Sequence, residues 1–227
     1  MKILVINPNT TASMTKKIGA AAKAVARPDT VIVAANSQNG PASIQGYLDV
    51  ATCVPGLLEE VARHPDVDAI VIACFDDTGL DAVRTMVSVP VLGIGEAAYH
   101  AASMISTKFS VITTLSRSVP GLENNLMRYG LAQKCARVRA TDIPVLKLEE
   151  GDPESLLIIR TEIRTAIEQD KAEAIVLGCA GMADLMEQLS DEFGLPVIDG
   201  VAAGVTFAEA LVSNMLRTSK IGAYSPD

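Results

Sequence analysis

One pattern of strand segments occurs twice in this chain, and the second copy follows the first at a nearly constant distance. KILVIN at 2–7 matches KFSVIT at 108–113, DAIVIAC at 68–74 matches EAIVLGC at 173–179, and VPVLG at 89–93 matches LPVID at 195–199. The shifts are 106, 105 and 106 residues. Three segments in one order at one spacing predict two similar units related by a pseudo-twofold axis.

Both units alternate short apolar runs with longer amphipathic stretches. The longer stretches carry helical spacing, as at Leu156, Ile159 and Ile163. Alternation of this kind predicts an α/β fold with parallel sheets and right-handed crossovers. We expect two three-layer αβα lobes, each with a four-stranded parallel sheet, and an active site between them. The predicted strands are 2–6, 30–35, 69–73, 89–93, 109–113, 136–141, 174–178 and 195–199.

Charge and composition exclude several classes of partner. The formal net charge of −8 argues against binding to nucleic acid or to an anionic membrane surface. The chain has no uninterrupted apolar run long enough to span a membrane, and its N-terminus reads as a strand rather than a signal peptide. We therefore expect a cytoplasmic protein. Its four cysteines form no CxxC pair and its two histidines no metal-binding spacing, so we predict reduced thiols and no metal site.

Two of the cysteines occupy matching positions. Cys74 and Cys179 each follow a predicted strand, and ligands of open parallel sheets bind beyond the carboxyl ends of the strands. A pseudo-twofold cleft would place the two thiols opposite each other. One of them as thiolate and the other as thiol could invert a carbon centre by removing a proton on one face and returning it on the other. The alternative is that both are small buried packing residues.

The loops at the same edge are rich in hydroxyl and amide groups. NPNTTASM follows the first strand and TTLSRS follows the first strand of the second unit, and both offer donors for a carbonyl-bearing ligand. Neither matches a nucleotide-binding loop. Asp76 and Asp77 either contact a ligand N–H, orient Cys74 or cap a helix. Asn7 either binds a ligand or forms an Asx-turn before Pro8.

Six segments carry a resemblance that covers nearly the whole chain. The sequence resembles the Asp/Glu/hydantoin racemase superfamily, and within it the hydantoin and allantoin racemase branch. Its ACFD and GCAG stand where the amino-acid racemases have sequences nearer ACNT and GCTH, which argues against free aspartate or glutamate as substrate. The segments are INPNTT at 6–11, PASIQG at 41–46, ACFDDTG at 73–79, SVITTLSRSVP at 110–120, LGCAGM at 177–182 and PVIDGV at 196–201.

The resemblance implies a cofactor-independent two-base mechanism with Cys74 and Cys179 as the catalytic residues. It also implies that the helical segment 200–216 packs on the opposite lobe, so we assign 1–95 plus 200–227 to the first lobe and 96–199 to the second. The residues predicted to bind the substrate are Asn7, Asn9, Ile44, Phe75, Asp76, Thr113, Thr114, Gly178, Ala180 and Gly181.

The expected activity is racemisation of 5-monosubstituted hydantoins, with allantoin as the alternative substrate. Ile44 and Tyr47 are candidates for the pocket that receives the 5-substituent. In a closed complex the two sulfur atoms should lie roughly 7–8 Å apart on opposite walls. We expect a small-molecule substrate, no cofactor and a homo-oligomer. A hypothesis of another class is a non-catalytic two-lobed binding protein, which would tolerate loss of both cysteines.

Overall fold

The computed structural model describes residues 1–149 and 151–225 and contains two four-stranded parallel sheets. Each predicted strand is present, with ends that differ by at most two residues, so the predicted fold class is confirmed. The strands are β1 Lys2–Asn7, β2 Val31–Asn36, β3 Ala69–Ile72, β4 Val91–Gly93, β5 Phe109–Thr113, β6 Cys135–Ala140, β7 Ala174–Gly178 and β8 Val197–Asp199.

Helices connect the strands and cover the sheets. No helix in the described ranges is both long and apolar enough to cross a membrane. The α-helices are α1 Ala12–Val25, α2 Tyr47–Ala62, α3 Leu80–Met86, α4 Ile94–Ile105, α5 Val119–Arg128, α6 Val145–Glu149, α7 Pro153–Gln169, α8 Met186–Phe193 and α9 Gly200–Ser213. The 3₁₀ helices are Ser116–Ser118, Ala180–Leu185 and Gly222–Tyr224.

The two sheets have the same strand order. The first is β2-β1-β3-β4 and the second is β6-β5-β7-β8. In each sheet the order reverses between the two central strands, and this switch point is where ligands bind in open α/β sheets. Ile6 is paired with Ile72 in the first sheet and Thr113 with Gly178 in the second. The segments that follow these pairs therefore lie side by side at the carboxyl edge of each sheet.

Helices α4 and α9 pack against each other between the sheets. Helix α9 follows the second sheet but packs on the first, where a Cβ at Gly204 would lie 2.8 Å from Val71 of β3. The Glu209 carboxylate of α9 accepts hydrogen bonds from the backbone N–H of Arg27 and the hydroxyl of Thr30, at 2.9 and 2.5 Å. Helix α4 follows the first sheet and contacts β7 and β8 of the second.

One apolar core runs through this helix pair and reaches both sheets. It contains Val5 and Val71 of the first sheet and Val111 and Val176 of the second, all fully buried. A smaller core lies on the other face of the first sheet. Because the main core is shared, the division into lobes of 1–95 plus 200–227 and 96–199 stays a proposal, supported by the position of α9.

Candidate active site

A cavity lies between the carboxyl edges of the two sheets. It is lined by all of the predicted site residues except Gly181, including both Cys74 and Cys179. Because β3 and β7 occupy equivalent places in their sheets, the residues that follow them reach the cavity from opposite lobes. The sequence repeat therefore leads to one shared site.

Four further residues line the cavity and were not predicted. They are Met14, Ala73, Ser118 and Val145. Ser118 belongs to the TTLSRS segment, whose position after β5 was a usable signal. Met14 lies in the first turn of α1, and Val145 starts a short helix in a segment that shows no motif. Nothing in the local sequence around Val145 indicates that it reaches the site.

Cys74 keeps part of its surface open to the cavity and is otherwise enclosed by protein. The Thr78 hydroxyl donates to its Sγ at 3.8 Å, and its own thiol lies 4.0 Å from Oδ2 of Asp76. Removal from bulk water is the main cause that raises the pKa of Cys74 well above its ordinary value, and the nearby Asp76 carboxylate adds to it. Hydrogen bonds from Thr78 and the Asp76 backbone lower the pKa by less.

Cys179 is buried and begins the 3₁₀ helix Ala180–Leu185. The backbone N–H of Gly181 donates to its Sγ at 3.4 Å. Burial raises the pKa of Cys179 to about 11, and this hydrogen bond opposes the increase. Gly181 thus contacts the catalytic candidate rather than the cavity, because its N–H points back to the preceding thiol.

Helix N-termini do not lower the pKa of either cysteine below its ordinary value. Cys74 does not begin a helix, since α3 starts only at Leu80 after a turn. Cys179 does begin one, but burial outweighs the single backbone hydrogen bond. Burial therefore favours the thiol form over the thiolate form at both cysteines.

The polar residues at the ends of β1 and β5 have unequal capacity to bind a ligand. The Nδ2 of Asn7 donates to Oδ1 of Asn9, to the Thr15 hydroxyl and to the Thr11 carbonyl. Its Oδ1 accepts a hydrogen bond from the Asn9 backbone N–H. It therefore forms the Asx-turn that was one of its two interpretations. Its counterpart Thr113 donates to the Gly178 carbonyl at 3.1 Å.

Asn9 and Thr114 retain groups that can face a ligand. Within residues 1–149 and 151–225, the Nδ2 of Asn9 donates only to the sulfur of Met14, at 3.3 Å, which is a weak acceptor. The Thr114 hydroxyl has no hydrogen-bond partner among the described residues. Both side chains are buried at the cavity wall, so both are available as donors to a carbonyl group.

The apolar members of the predicted site serve mainly to shape it. The Phe75 ring packs edge-on against Tyr99 at 5.2 Å between centroids, so it belongs to the core. Ile44 is buried in the segment between β2 and α2. Gly178 lies so close to β5 that an added Cβ would be 3.0 Å from the Ile112 carbonyl. Ala180 follows Cys179 directly and lines the cavity.

The two neighbouring aspartates have different places. Asp76 lines the cavity, and burial raises its pKa to about 6. Asp77 turns away, with a φ of 52°, and its carboxylate accepts from the backbone N–H groups of Gly95 and Glu96 at 2.9 and 2.7 Å. The Tyr129 hydroxyl donates to it at 2.8 Å. Asp77 is therefore a helix cap, as its alternative interpretation held, but it caps α4 instead of the helix that follows it.

Comparisons with known proteins agree with this architecture. The model of the Asp/Glu/hydantoin racemase family matches residues 3–208. A hydantoin racemase of Pseudomonas sp. (strain NS671) is 47% identical over 99% of this chain and 91% of its own. A hydantoin racemase of Rhizobium meliloti is 48% identical, covering 99% and 94%.

A solved structure is similar over the whole chain. The allantoin racemase from Klebsiella pneumoniae superposes with a TM-score of 0.97 at 45% identity, covering 100% of this chain and 94% of that one. The match includes both strand-end segments that carry the cysteines, since it covers every residue. The chain therefore belongs to the Asp/Glu/hydantoin racemase family and is an isomerase.

Proposed function

We propose that this protein interconverts the D and L forms of 5-monosubstituted hydantoins by proton transfer at C5, with Cys74 and Cys179 as the two acid–base residues. The observation that carries the proposal is that two thiols from equivalent strand ends line one cavity from opposite lobes. Relatives at 47% and 48% identity bear the name hydantoin racemase, which supports the substrate class.

The reaction starts with one cysteine as thiolate and the other as thiol. The thiolate takes the C5 proton, and the electron pair of the C–H bond moves into the enolate formed with the C4 carbonyl. The opposite thiol then gives its proton to the other face of C5. The two cysteines have exchanged protonation states, and no other group gains or loses a proton. Acid–base catalysis of this kind is typically worth about 10²–10⁴-fold.

Charge develops on the C4 oxygen during this transfer, and donors that face it lower the barrier. Asn9 and Thr114 are suited to this role because their donors are unused or weakly used and their side chains are buried at the cavity wall. Asp76 is placed to accept from a ring N–H. A ring held from three sides would keep C5 between the two sulfur atoms.

Proton transfer between carbon and sulfur needs no oxidant, reductant or bound cofactor. We therefore propose a cofactor-independent reaction whose partner is a small molecule. We also propose that the chain acts as a cytoplasmic homo-oligomer.

Allantoin, a hydantoin with a ureido group at C5, is a second candidate substrate, favoured by the close structural match to an allantoin racemase.

The first prediction concerns the cysteines. Cys74→Ser and Cys179→Ser should each lower racemisation by at least about 10²-fold, because serine is a far weaker acid and base at carbon. Each variant should still exchange the C5 hydrogen of one enantiomer for solvent deuterium, using its remaining cysteine. The measurements are optical rotation and deuterium exchange by NMR on allantoin and on alkyl and aryl hydantoins, with EDTA and a reductant present.

Cys135→Ser is the matched control, since this thiol starts β6 away from the cavity, and it should racemise at the wild-type rate. Circular dichroism should show that all three variants are folded. Full racemisation by either active-site variant would exclude the two-base mechanism. Wild-type protein that binds hydantoins without any exchange at C5 would support the non-catalytic binding hypothesis instead.

A further inference from the structure

A second cavity adjoins the catalytic one. The two share Asp76 and Ser118 in their walls. One wall of the second cavity is the start of α2, with Gly46, Tyr47 and Val50, and the other is the 3₁₀ helix before α5 together with the first turns of α5. It thus lies between residues that follow the first sheet's β2 and residues that follow the second sheet's β5.

The smaller, catalytic cavity is of a size for a hydantoin ring, and the larger, second cavity is of a size for the substituent at C5. The catalytic cavity has a free volume of about 40 Å³, which corresponds to about three water molecules and hence to one small planar ring. The second cavity has about 210 Å³. A ring with C5 between the cysteines would fill most of the first cavity, and the adjoining second cavity offers the space for a larger substituent.

The lining of the second cavity combines an apolar floor with unpaired polar groups. The Tyr47 ring lies beside Gly121, since a Cβ added to this glycine would be 4.0 Å from Cε1 of the ring. The aliphatic part of Arg117 lies beside Gly46, since a Cβ added there would be 3.8 Å from Cδ of Arg117. The side chains of Arg117, Ser118 and Asn124 make no hydrogen bond or ion pair with any described residue.

These groups are mainly donors. Arg117 offers a planar set of N–H groups that can donate two parallel hydrogen bonds to a carboxylate, or two converging ones to the single oxygen of a urea-type carbonyl. Asn125 is already engaged, because its Nδ2 donates to the Asp76 carbonyl at 2.9 Å. Arg117 and Asn124 are exposed, so water hydrates them when a purely apolar tail is bound. A tail that carries an acceptor gains a hydrogen bond from Arg117 in addition to contact with Tyr47 and Val50.

On the basis of the proposed function, we infer that this second cavity is the 5-substituent pocket and that Arg117 selects hydantoins whose substituent ends in a carbonyl or carboxylate. Arg117 is a specificity residue at the outer wall, away from C5. The pocket admits the ureido group of allantoin and short acidic tails by the same contact.

The test compares three substrates in the wild-type protein and in Arg117→Ala. They are allantoin, 5-(2-carboxyethyl)hydantoin and 5-isobutylhydantoin. We expect the variant to lose about 10- to 100-fold in kcat/KM for the first two, the size of a charge-assisted hydrogen bond, and to stay within about threefold for the isobutyl compound. Arg117→Lys should recover more activity with the carboxylate than with allantoin, because lysine restores the charge but not the planar fork.

Arg137→Ala is the control, since this exposed arginine on β6 also makes no ion pair with a described residue and lies outside both cavities. It should leave all three rates unchanged. Equal losses on the three substrates, or no loss on any, would overturn the role of Arg117 while leaving the racemase proposal intact. Failure of the wild-type protein to exchange C5 of all three substrates would overturn the proposed function and this inference with it.

Discussion

The two sulfur atoms occupy matched positions in the chain but have different neighbours. A shift of 105 residues takes Asp76 to Gly181 and Thr78 to Ala183, so the first copy carries a carboxylate and a hydroxyl where the second has neither. Accordingly, Cys74 has the Thr78 hydroxyl as a donor in addition to the Asp76 backbone, whereas Cys179 accepts from the Gly181 backbone N–H. The pseudo-twofold site thus presents two chemically distinct faces to its substrate.

The pKa shifts predict how the rate depends on pH. Catalysis needs one ionised cysteine, and burial raises the pKa of both, so kcat/KM should increase from neutral to alkaline pH. The Asp76 carboxylate, whose pKa is about 6, adds to both shifts by repelling a thiolate. Asp76→Asn should therefore move the rising limb of the profile to lower pH, by on the order of one unit.

The measurement is kcat/KM between pH 6 and 10, corrected for the spontaneous racemisation of the substrate. Asp66→Asn, a change at an exposed turn outside the cavity, should leave the profile in place. Because Asp76 also lines the site, its replacement will change the height of the curve. The test therefore depends on the pH at which kcat/KM rises and not on its maximum value. If this pH is unchanged or higher in Asp76→Asn, repulsion between the Asp76 carboxylate and a cysteine thiolate does not set the profile.

At this scale the sequence predicted the residues that belong to repeated strand ends, because their position follows from the order of the strands. It did not predict Val145, which reaches the cavity from a segment without a motif. Hydrogen bonds that occupy Asn7 and the burial that sets the cysteine pKa values depend on the folded surroundings. Neither is encoded in the spacing of residue types.

Among the secondary-structure elements, the two crossing helices are capped in different ways. Asp199 caps α9 from its own N-terminus, accepting from the N–H groups of Val201 and Ala202. The equivalent position before α4 is Gly93, where an added Cβ would lie 2.0 Å from the Asp77 carboxylate. The cap of α4 therefore comes from the loop that carries Cys74 and links that loop to α4 and Tyr129.

Asp77→Asn should lower the free energy of unfolding by about 1–2 kcal/mol. An amide has only one acceptor oxygen, so its NH₂ would face a helix N–H or the Tyr129 hydroxyl in place of a carboxylate oxygen. It should also lower kcat, because the Cys74 loop loses part of its anchor. Denaturant titration and steady-state kinetics measure the two effects.

Tyr129→Phe removes only the hydroxyl donor and should cost about 0.5–1.5 kcal/mol. Asp66→Asn again serves as the surface control. An Asp77→Asn protein with wild-type stability and kcat would show that this cap does not position the loop. The sequence indicated a capping role for Asp77 but assigned the wrong helix, because Asp77 and Gly95 lie 18 residues apart and only tertiary structure joins them.

For the molecule as a whole, the identical strand orders place two switch points against one cleft. In a complex with a bound hydantoin analogue, the sulfur atoms of Cys74 and Cys179 should lie roughly 7–8 Å apart on opposite sides of the ring, because each must approach C5 to about 3–3.5 Å. A crystal structure of the complex measures this separation. Sulfurs on one side of the ring, or more than about twice that distance apart, would exclude direct transfer.

The repeat in the sequence predicted the number of sheets, their strands and the cleft between them, since strand period and order follow from local residue pattern. The repeat did not predict the core that the two sheets share. Which sheet α4 and α9 cover depends on packing between distant segments, such as Gly204 on Val71, and periodicity carries no information about it. That part of the prediction came from the resemblance alone.

The exchange of α4 and α9 has a consequence for how the chain is made. All four strands of the first sheet precede the second sheet in the chain, but α9, which covers β3 and whose Glu209 accepts a hydrogen bond from Arg27, follows it. Until α9 has been synthesised, the part of the first sheet formed by β3 and β4 lacks this covering helix. The nascent chain must therefore hold an apolar surface exposed while the second sheet is synthesised, a state in which chaperones bind and aggregation competes with folding.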